Sequence, residues 1–304
     1  MTAGRPRWRK RTRWIRVPLR LAALRWRNLR SQDTLLDAAG PVVSLTSYGE
    51  RIARAHHAIE SIGLGTLRPS RLVLWLAQDE LDRGLPAPLR RLQRRGLVVA
   101  GCPDWGPHKK YYPEVVAGLP AGVPLVTADD DVLYPPGWLA SLVAAWRDAP
   151  QAVACHRARR IGVDAEGRLL PYRQWPGCFS DAPSALNFSV GGSGVLYPPA
   201  MCDALRAGGT AFMDVCPRAD DIWLNATAQR QGVPVRQVTA EPVLFDDLPG
   251  TRRGGLAREN VRGGGNDRQI AATFSAAERD ALARRAAADR GGSGPRENDD
   301  GDET

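Results

Sequence analysis

The sequence predicts an α/β protein: a three-layer, mainly parallel, Rossmann-like sheet, with a small mixed β region in the second half. Two observations carry this. From residue 41 to 157, apolar runs of strand length alternate with helical stretches, the pattern of strands covered on both faces by crossover helices. Beyond residue 160 the chain turns to short extended pieces and glycine-rich turns. With 304 residues, 43% of them hydrophobic, it can bury a sizeable core.

Taken in order, "PVVSLTS" (41–47) reads as a buried strand and 51–62 as a helix. "RLVLWLA" (71–77) is a second strand, followed by a basic helix near 86–95 and the strand "GLVVAG" (96–101). "PLVTA" (124–128) comes next, then a helix over about 136–148 and the strand "QAVACHR" (151–157). Asp164–Gly167 forms a turn between two short extended pieces, and "GGSGVLYPP" (191–199) is a glycine loop entering a strand. "ADDIWLNATAQRQG" (219–232) is a helix closed by Gly232. The ordered body is expected over 40–285, as halves 40–157 and 158–285, between a basic arm (1–35) and a disordered polar tail (286–304).

Five cysteines (Cys102, Cys155, Cys178, Cys202, Cys216) are an odd number without a C-x-x-C pair. This argues against a disulfide framework and a zinc ribbon, and for a reducing, cytoplasmic setting. No window approaches the ~18 consecutive apolar residues that a membrane span requires.

The net charge of +9 describes the arm more than the body: residues 1–32 hold eleven Arg or Lys and no acid. After Pro18, the residues Leu19, Ala22, Ala23, Trp26 and Leu29 share one helical stripe, with Arg20 and Arg27 off it. A basic helix with a Trp/Leu face suits an anionic membrane surface, which gives a peripheral location on the inner face of the cell membrane. A solubilising tail, or one attracted to nucleic acid, is the plainer reading of the same charge. The body has no recognition helix or zinc module, so no nucleic-acid partner is expected.

Chemistry is expected beyond the carboxyl ends of the strands. Asp129, Asp130 and Asp131 lie there, after the 124–128 strand, and in extended backbone Asp129 and Asp131 point to one side. Adjacent carboxylates repel unless a cation sits among them, and oxygen-only ligation with few side chains suits Mg²⁺ or Mn²⁺. Only Lys10, Lys109 and Lys110 among the 42 basic residues are lysine, and two of them fall in "GPHKKYY" (106–112). Compact ammonium groups suit phosphate, although a solvated charge run reads the same way. Asp220 and Asp221 open a helix, where the dipole favours carboxylates in any case, and either could serve as a general base. Successive glycines at Gly191, Gly192 and Gly194 permit close backbone approach to a ligand. Trp105, Trp138, Trp175 and Trp223 could stack on sugar rings, although single tryptophans more often pack in cores. His108 and His156 are assigned no ligand role.

In order, "VSLTSYGERI", "GPHKKYYP", "TADDDVLYP", "CHRAR", "GGSGVLYPP" and "ADDIWL" resemble bacterial nucleotide-sugar glycosyltransferases of the GT-A fold, of the kind associated with surface or capsular polysaccharide synthesis. The match covers roughly residues 41–240. The resemblance implies that Asp129 and Asp131 form the D-x-D motif, holding Mn²⁺ or Mg²⁺ and touching the donor. It implies that Thr46, Ser47 and Arg51, in the segment after the first strand, hold the nucleotide, together with Asp130, Lys109 and Lys110 around the donor. Asp221 or Asp220 would be the catalytic base, and Gly191, Gly192, Ser193 and Gly194, with Trp223, would border donor sugar and acceptor. The implied activity is transfer from a nucleotide-diphosphate sugar, a UDP-sugar for preference, to a hydroxyl of a glycan or lipid-linked acceptor, with inversion preferred. Many GT-A enzymes add a histidine ligand near the C-terminus, but here no histidine follows His156. Fewer protein ligands and more water are therefore expected at the ion, or another residue in place of the histidine. Two rivals remain: a sugar-nucleotide nucleotidyltransferase, for which "SLTSYGERI" has only one glycine, and a non-catalytic membrane or nucleic-acid binding protein.

Overall fold

The computed structural model describes residues 7–251 and 258–291. Eleven strands appear in the described residues. The first six are β1 (Val42–Thr46), β2 (Arg71–Ala77), β3 (Leu97–Cys102), β4 (Leu125–Asp129), β5 (Val132–Leu133) and β6 (Val153–Cys155). The rest are β7 (Ala158–Arg160), β8 (Asn187–Ser189), β9 (Val195–Tyr197), β10 (Val235–Gln237) and β11 (Asp246–Asp247). The helices are α1 (Arg7–Arg30), α2 (His56–Gly63), α3 (Gln78–Asp82), α4 (Ala87–Gln93), α5 (Tyr112–Ala117) and α6 (Trp138–Asp148). They continue with α7 (Pro199–Ala207), α8 (Phe212–Val215), α9 (Asp220–Arg230), α10 (Gly265–Thr273) and α11 (Ala276–Gly291).

Seven strands form one sheet in the order β10-β6-β9-β4-β1-β2-β3. All neighbours are parallel except β9, which runs antiparallel to both β4 and β6. The three-layer, mainly parallel sheet is therefore present. Strands from both halves of the body share it, so 40–157 and 158–285 do not carry separate sheets. Antiparallel pairs β5/β11 and β7/β8 form the small mixed region.

Alternate strand residues feed two cores. Val42, Leu125, Val153 and Val195 pack beneath Val115 of α5, Leu205 of α7 and Ile222 of α9. Val43, Leu45, Leu74 and Val126 pack beneath Ile59 of α2, Leu92 of α4 and Leu142 of α6. Burial of each such side chain contributes about 1.5–3 kcal/mol, which is why these strands read as near-continuous apolar runs. In register, Thr46 stands beside Asp129 on one side and Trp75 on the other, so the carboxyl ends of β1, β2 and β4 are level.

Helix α1 packs on this body. Val17 and Leu24 are buried with Leu133 and Leu248, and Leu21 packs against them. Arg20 donates to the carbonyls of Leu133 (3.3 Å) and Tyr134. Asn28 donates to the buried Glu60 carboxylate at 3.1 Å, which also pairs with the buried Arg95. The arm thus has a buried face besides the stripe noted in its sequence. At the other end the chain is helical to Gly291, and residues 292–304 of the expected tail lie outside the described residues. All five cysteines are buried and free. Among the described residues no helix is long and apolar enough to cross a membrane.

Candidate active site

The acidic triplet sits where β4 ends and turns into β5. Tyr134 fixes this turn by accepting the Asp129 amide on its phenol oxygen at 2.7 Å, and the Asp131 carbonyl accepts the Leu248 amide at 2.7 Å. The three side chains part, but not along one extended strand as the sequence suggested: β4 ends at Asp129, and Asp130 and Asp131 form the turn into β5. Asp130 turns inward, 4% exposed, and accepts the Ser47 hydroxyl and the Arg51 guanidinium (Nε at 3.1 Å). Asp129 and Asp131 stay more open, with side chains 24% and 21% exposed. Arg51 also reaches Asp131, Nη2 to Oδ2 at 2.9 Å. Burial first, then repulsion from Asp129, pushes the Asp131 carboxyl up to about 6. Burial likewise raises Asp130, opposed by Arg51. Thr46 spends its hydroxyl on the Trp75 carbonyl at 2.8 Å, so it closes the neighbouring strand.

The two lysines diverge. Both lie in a 3-10 turn, Gly106–Lys110, and both are buried. Lys110 Nζ lies 2.6 Å from Asp129 and 3.1 Å from Asp220, linking the triplet to the start of α9. Burial alone would lower this ammonium, but Asp129, Asp220 and Asp221 together raise it well above the ordinary lysine value. Lys109 pairs instead with the exposed Asp104 and does not line the cavity described below.

The glycine loop stitches the two acidic groups together. The Gly191 amide donates to Asp221 Oδ1 at 3.0 Å, and a Cβ on Gly191 would sit 2.8 Å from that oxygen. A Cβ on Gly192 would meet Asp129 Oδ2 at 3.6 Å. Gly194 has φ +90°, and a Cβ there would strike the Trp138 ring at 2.5 Å, so only glycine fits. Ser193 is buried, its carbonyl accepting Trp138 Nε1 (2.9 Å) and its hydroxyl donating to Val243 O (2.8 Å). Asp221 itself is pushed up to about 7, by burial first and by Asp220 second, with Lys110 opposing.

These groups border a cavity of about 300 Å³. Lys110, Asp129, Gly191, Gly192, Asp220 and Asp221 line it. Thr46, Ser47, Arg51, Asp130, Asp131, Ser193 and Gly194 do not line it. Trp223 does not line it: the ring packs edge-on to Phe212, 6.1 Å away, in the core. Helical periodicity explains this, since only part of α9 can face the cavity while its neighbours face the sheet. Reading the sequence for acids passed over three cationic lining residues, Arg157, Arg159 and Arg218. The signal was the i, i+2 arginine pair in "CHRAR". Arg159 is held by the Trp175 carbonyl at 2.6 Å and Arg218 by Glu259 at 2.8 Å. The Arg157 carbonyl accepts the Val190 amide at 3.0 Å, but its guanidinium has no hydrogen-bond or ion-pair partner among the described residues, and burial lowers its pKa below the ordinary arginine value.

His108 bridges Tyr111 (3.0 Å) and the Cys216 carbonyl (2.8 Å), and His156 faces the Trp138 carbonyl (3.1 Å). Burial lowers both to about 4, so both are neutral structural residues at pH 7. Among the described residues no three His, Cys, Asp or Glu side chains converge as a ready-made metal cage. The donor set still fits a hard divalent ion: Asp129 and Asp131 supply oxygen only, and mutual repulsion at Asp131 marks a surplus of negative charge. Such an ion would need phosphate and water oxygens for its remaining positions.

No family model and no curated protein matches the chain. Solved structures give distant likenesses. CMP:2-keto-3-deoxy-manno-octonic acid synthetase complexed with CTP is 15% identical, with TM-score 0.40, over 74% of this chain and 98% of that one. S. aureus TarS 1-349 is 11% identical, with TM-score 0.42, over 80% and 68%. The inositol-1-phosphate CTP transferase from T. maritima is 12% identical, with TM-score 0.41, over 78% and 99%. Likenesses this distant carry no argument about the site or its reaction.

Proposed function

We propose that the protein is a metal-dependent glycosyltransferase, moving a sugar from a nucleotide-diphosphate sugar to a hydroxyl of a glycan or lipid-linked glycan. The observation that carries this reading is the meeting of two carboxylate groups at one cavity, joined by Lys110 and lined also by an arginine whose guanidinium has no partner among the described residues. Ser47 and Arg51 lie beyond the end of β1 and brace Asp130, leaving that edge for the nucleotide. A UDP-sugar is the favoured donor.

Asp131 and Asp129 would hold Mn²⁺ or Mg²⁺, which when bound offsets charge on the departing diphosphate. Lys110 and Arg157, both lining the cavity, add positive field there. Asp221 takes the proton of the acceptor hydroxyl as the new oxygen–carbon bond forms and the carbon–phosphate oxygen bond breaks. Asp220, beside Lys110, is the less suited of the two, because its carboxylate is already engaged by an ammonium. A base on the acceptor side favours inversion of the anomeric centre, which NMR of the product reads directly.

The test is a panel of nucleotide sugars scored for slow Mn²⁺-dependent hydrolysis, which needs no acceptor. Hydrolysis of one UDP- or GDP-sugar, lost by at least about 10³-fold in Asp131→Asn with unchanged thermal unfolding, is the expected result. Full turnover by that variant with metal chelated would contradict the reading. Pyrophosphate release from a nucleoside triphosphate would assign the site to a nucleotidyltransferase instead.

A further inference from the structure

Helix α1 is 24 residues long and has two apolar faces. Val17, Leu21, Leu24 and Asn28, at spacings of four, three and four, form the face against the body. On the other side Ile15, Leu19, Trp26 and Leu29 are 69%, 66%, 67% and 54% exposed, with Ala22 exposed among them. At 100° per residue these five positions fall within about 80° of arc. The stripe therefore survives packing: folding buries one face and leaves the other on the surface, where solvated side chains would be the ordinary choice.

The charges beside the stripe identify its occupant. The helix contains no Asp or Glu. Arg25 borders one side of the stripe and Arg30 the other; both are exposed, and among the described residues neither has a carboxylate partner. The helix begins with Arg7, Arg9, Lys10, Arg11 and Arg13 in sequence. A protein partner would need matching acids, and a solvated helix would need no tryptophan. An apolar strip bordered by arginines fits the boundary of a bilayer rich in anionic headgroups. The helix cannot cross that bilayer, since Arg16, Arg20 and Arg27 interrupt it and engage groups on the body.

We infer that α1 is a rigidly mounted membrane-docking helix that lays Ile15, Leu19, Trp26 and Leu29 into the surface of an anionic bilayer. The mounting gives this inference its content. Arg20 on the Leu133 and Tyr134 carbonyls fixes α1 directly behind the acidic turn. Docking therefore sets the orientation of the body to the lipid plane as well as its distance from it. This holds whatever reaction the cavity performs.

The test uses the full chain in sedimentation with vesicles of phosphatidylcholine, alone or with about 30% phosphatidylglycerol. Wild type should sediment with the anionic vesicles at least about tenfold more than with the neutral ones, and less as salt rises. Leu19→Ser with Trp26→Ser should lose at least about tenfold of that binding, as should Arg25→Glu with Arg30→Glu. Thermal midpoints should not change, because all four side chains are exposed. Absent sedimentation, or equal sedimentation by wild type and the serine variant, would overturn the inference. A wild-type dimer in light scattering that Trp26→Ser dissolves would give the face to a second copy. Salt-sensitive DNA binding stronger than vesicle binding would give it to nucleic acid.

Discussion

Asp129–Asp131 run from the last residue of a strand into a turn and Asp220–Asp221 open a helix, yet both groups reach the same ammonium, Lys110. Their surroundings differ in kind. The triplet has its own guanidinium, Arg51, on Asp130 and Asp131, and its inner member is locked by Ser47. Among the described residues Asp221 touches no cation directly; its carboxylate accepts a backbone amide, and burial raises it to about 7. Clustered acids braced by cations are suited to gripping charge. An acid held near neutrality without an ion pair is suited to exchanging a proton.

The largest expected effect separates the members of the second pair. Asp221→Asn should lower kcat by about 10²–10⁴-fold while leaving nucleotide affinity within twofold or so. Asp220→Asn should cost about tenfold, through Lys110. Equal losses from both, measured by single-turnover transfer, would erase the contrast.

A second experiment asks whether one carboxyl sets both activity and stability. Turnover should fall below about pH 7 as Asp221 takes up its proton. Stability should move the opposite way. Asp221 binds its proton more tightly folded than unfolded, so its contribution is most favourable below about 4, declines as pH rises, and is lost above about 7. Asp221→Asn should flatten that slope in thermal midpoints taken from pH 5 to 8. An unchanged slope would move the titration to another group.

Smaller effects distinguish the lysines. Lys110→Met leaves Asp129 and Asp220 short of their shared counter-charge and should cost about 3 kcal/mol in urea unfolding. Lys109→Met leaves only the exposed Asp104 unpaired and should cost under about 1 kcal/mol.

Much of the frame was legible in sequence, because strands buried on both faces leave runs that nothing else produces; "RLVLWLA" is β2 end to end. The direction of β9 was not, since three apolar residues in "VLY" pack equally well either way up and only the preceding glycine loop turns them. The acids were legible because strand ends are where ligands gather. Divergence of Lys109 from Lys110 was not, since consecutive side chains on a tight turn point apart and nothing in "HKK" says which faces inward. Arg157 was missed because an unpaired cation becomes informative only when burial is known. The buried face of α1 was hidden for the opposite reason: the stripe the eye finds, Leu19 to Leu29, is the one left outside, while the packed face is sparse and includes an asparagine.

Tyr134 gathers these threads. Its phenol receives the Asp129 amide, its own amide donates to Ser61 of α2, and its carbonyl receives Arg20 of α1. A single aromatic residue is thus the rivet between the lipid-facing beam and the charged hinge beside the cavity. Were surface docking to change the affinity of a ligand at the hinge, that ligand would by reciprocity change docking by the same factor.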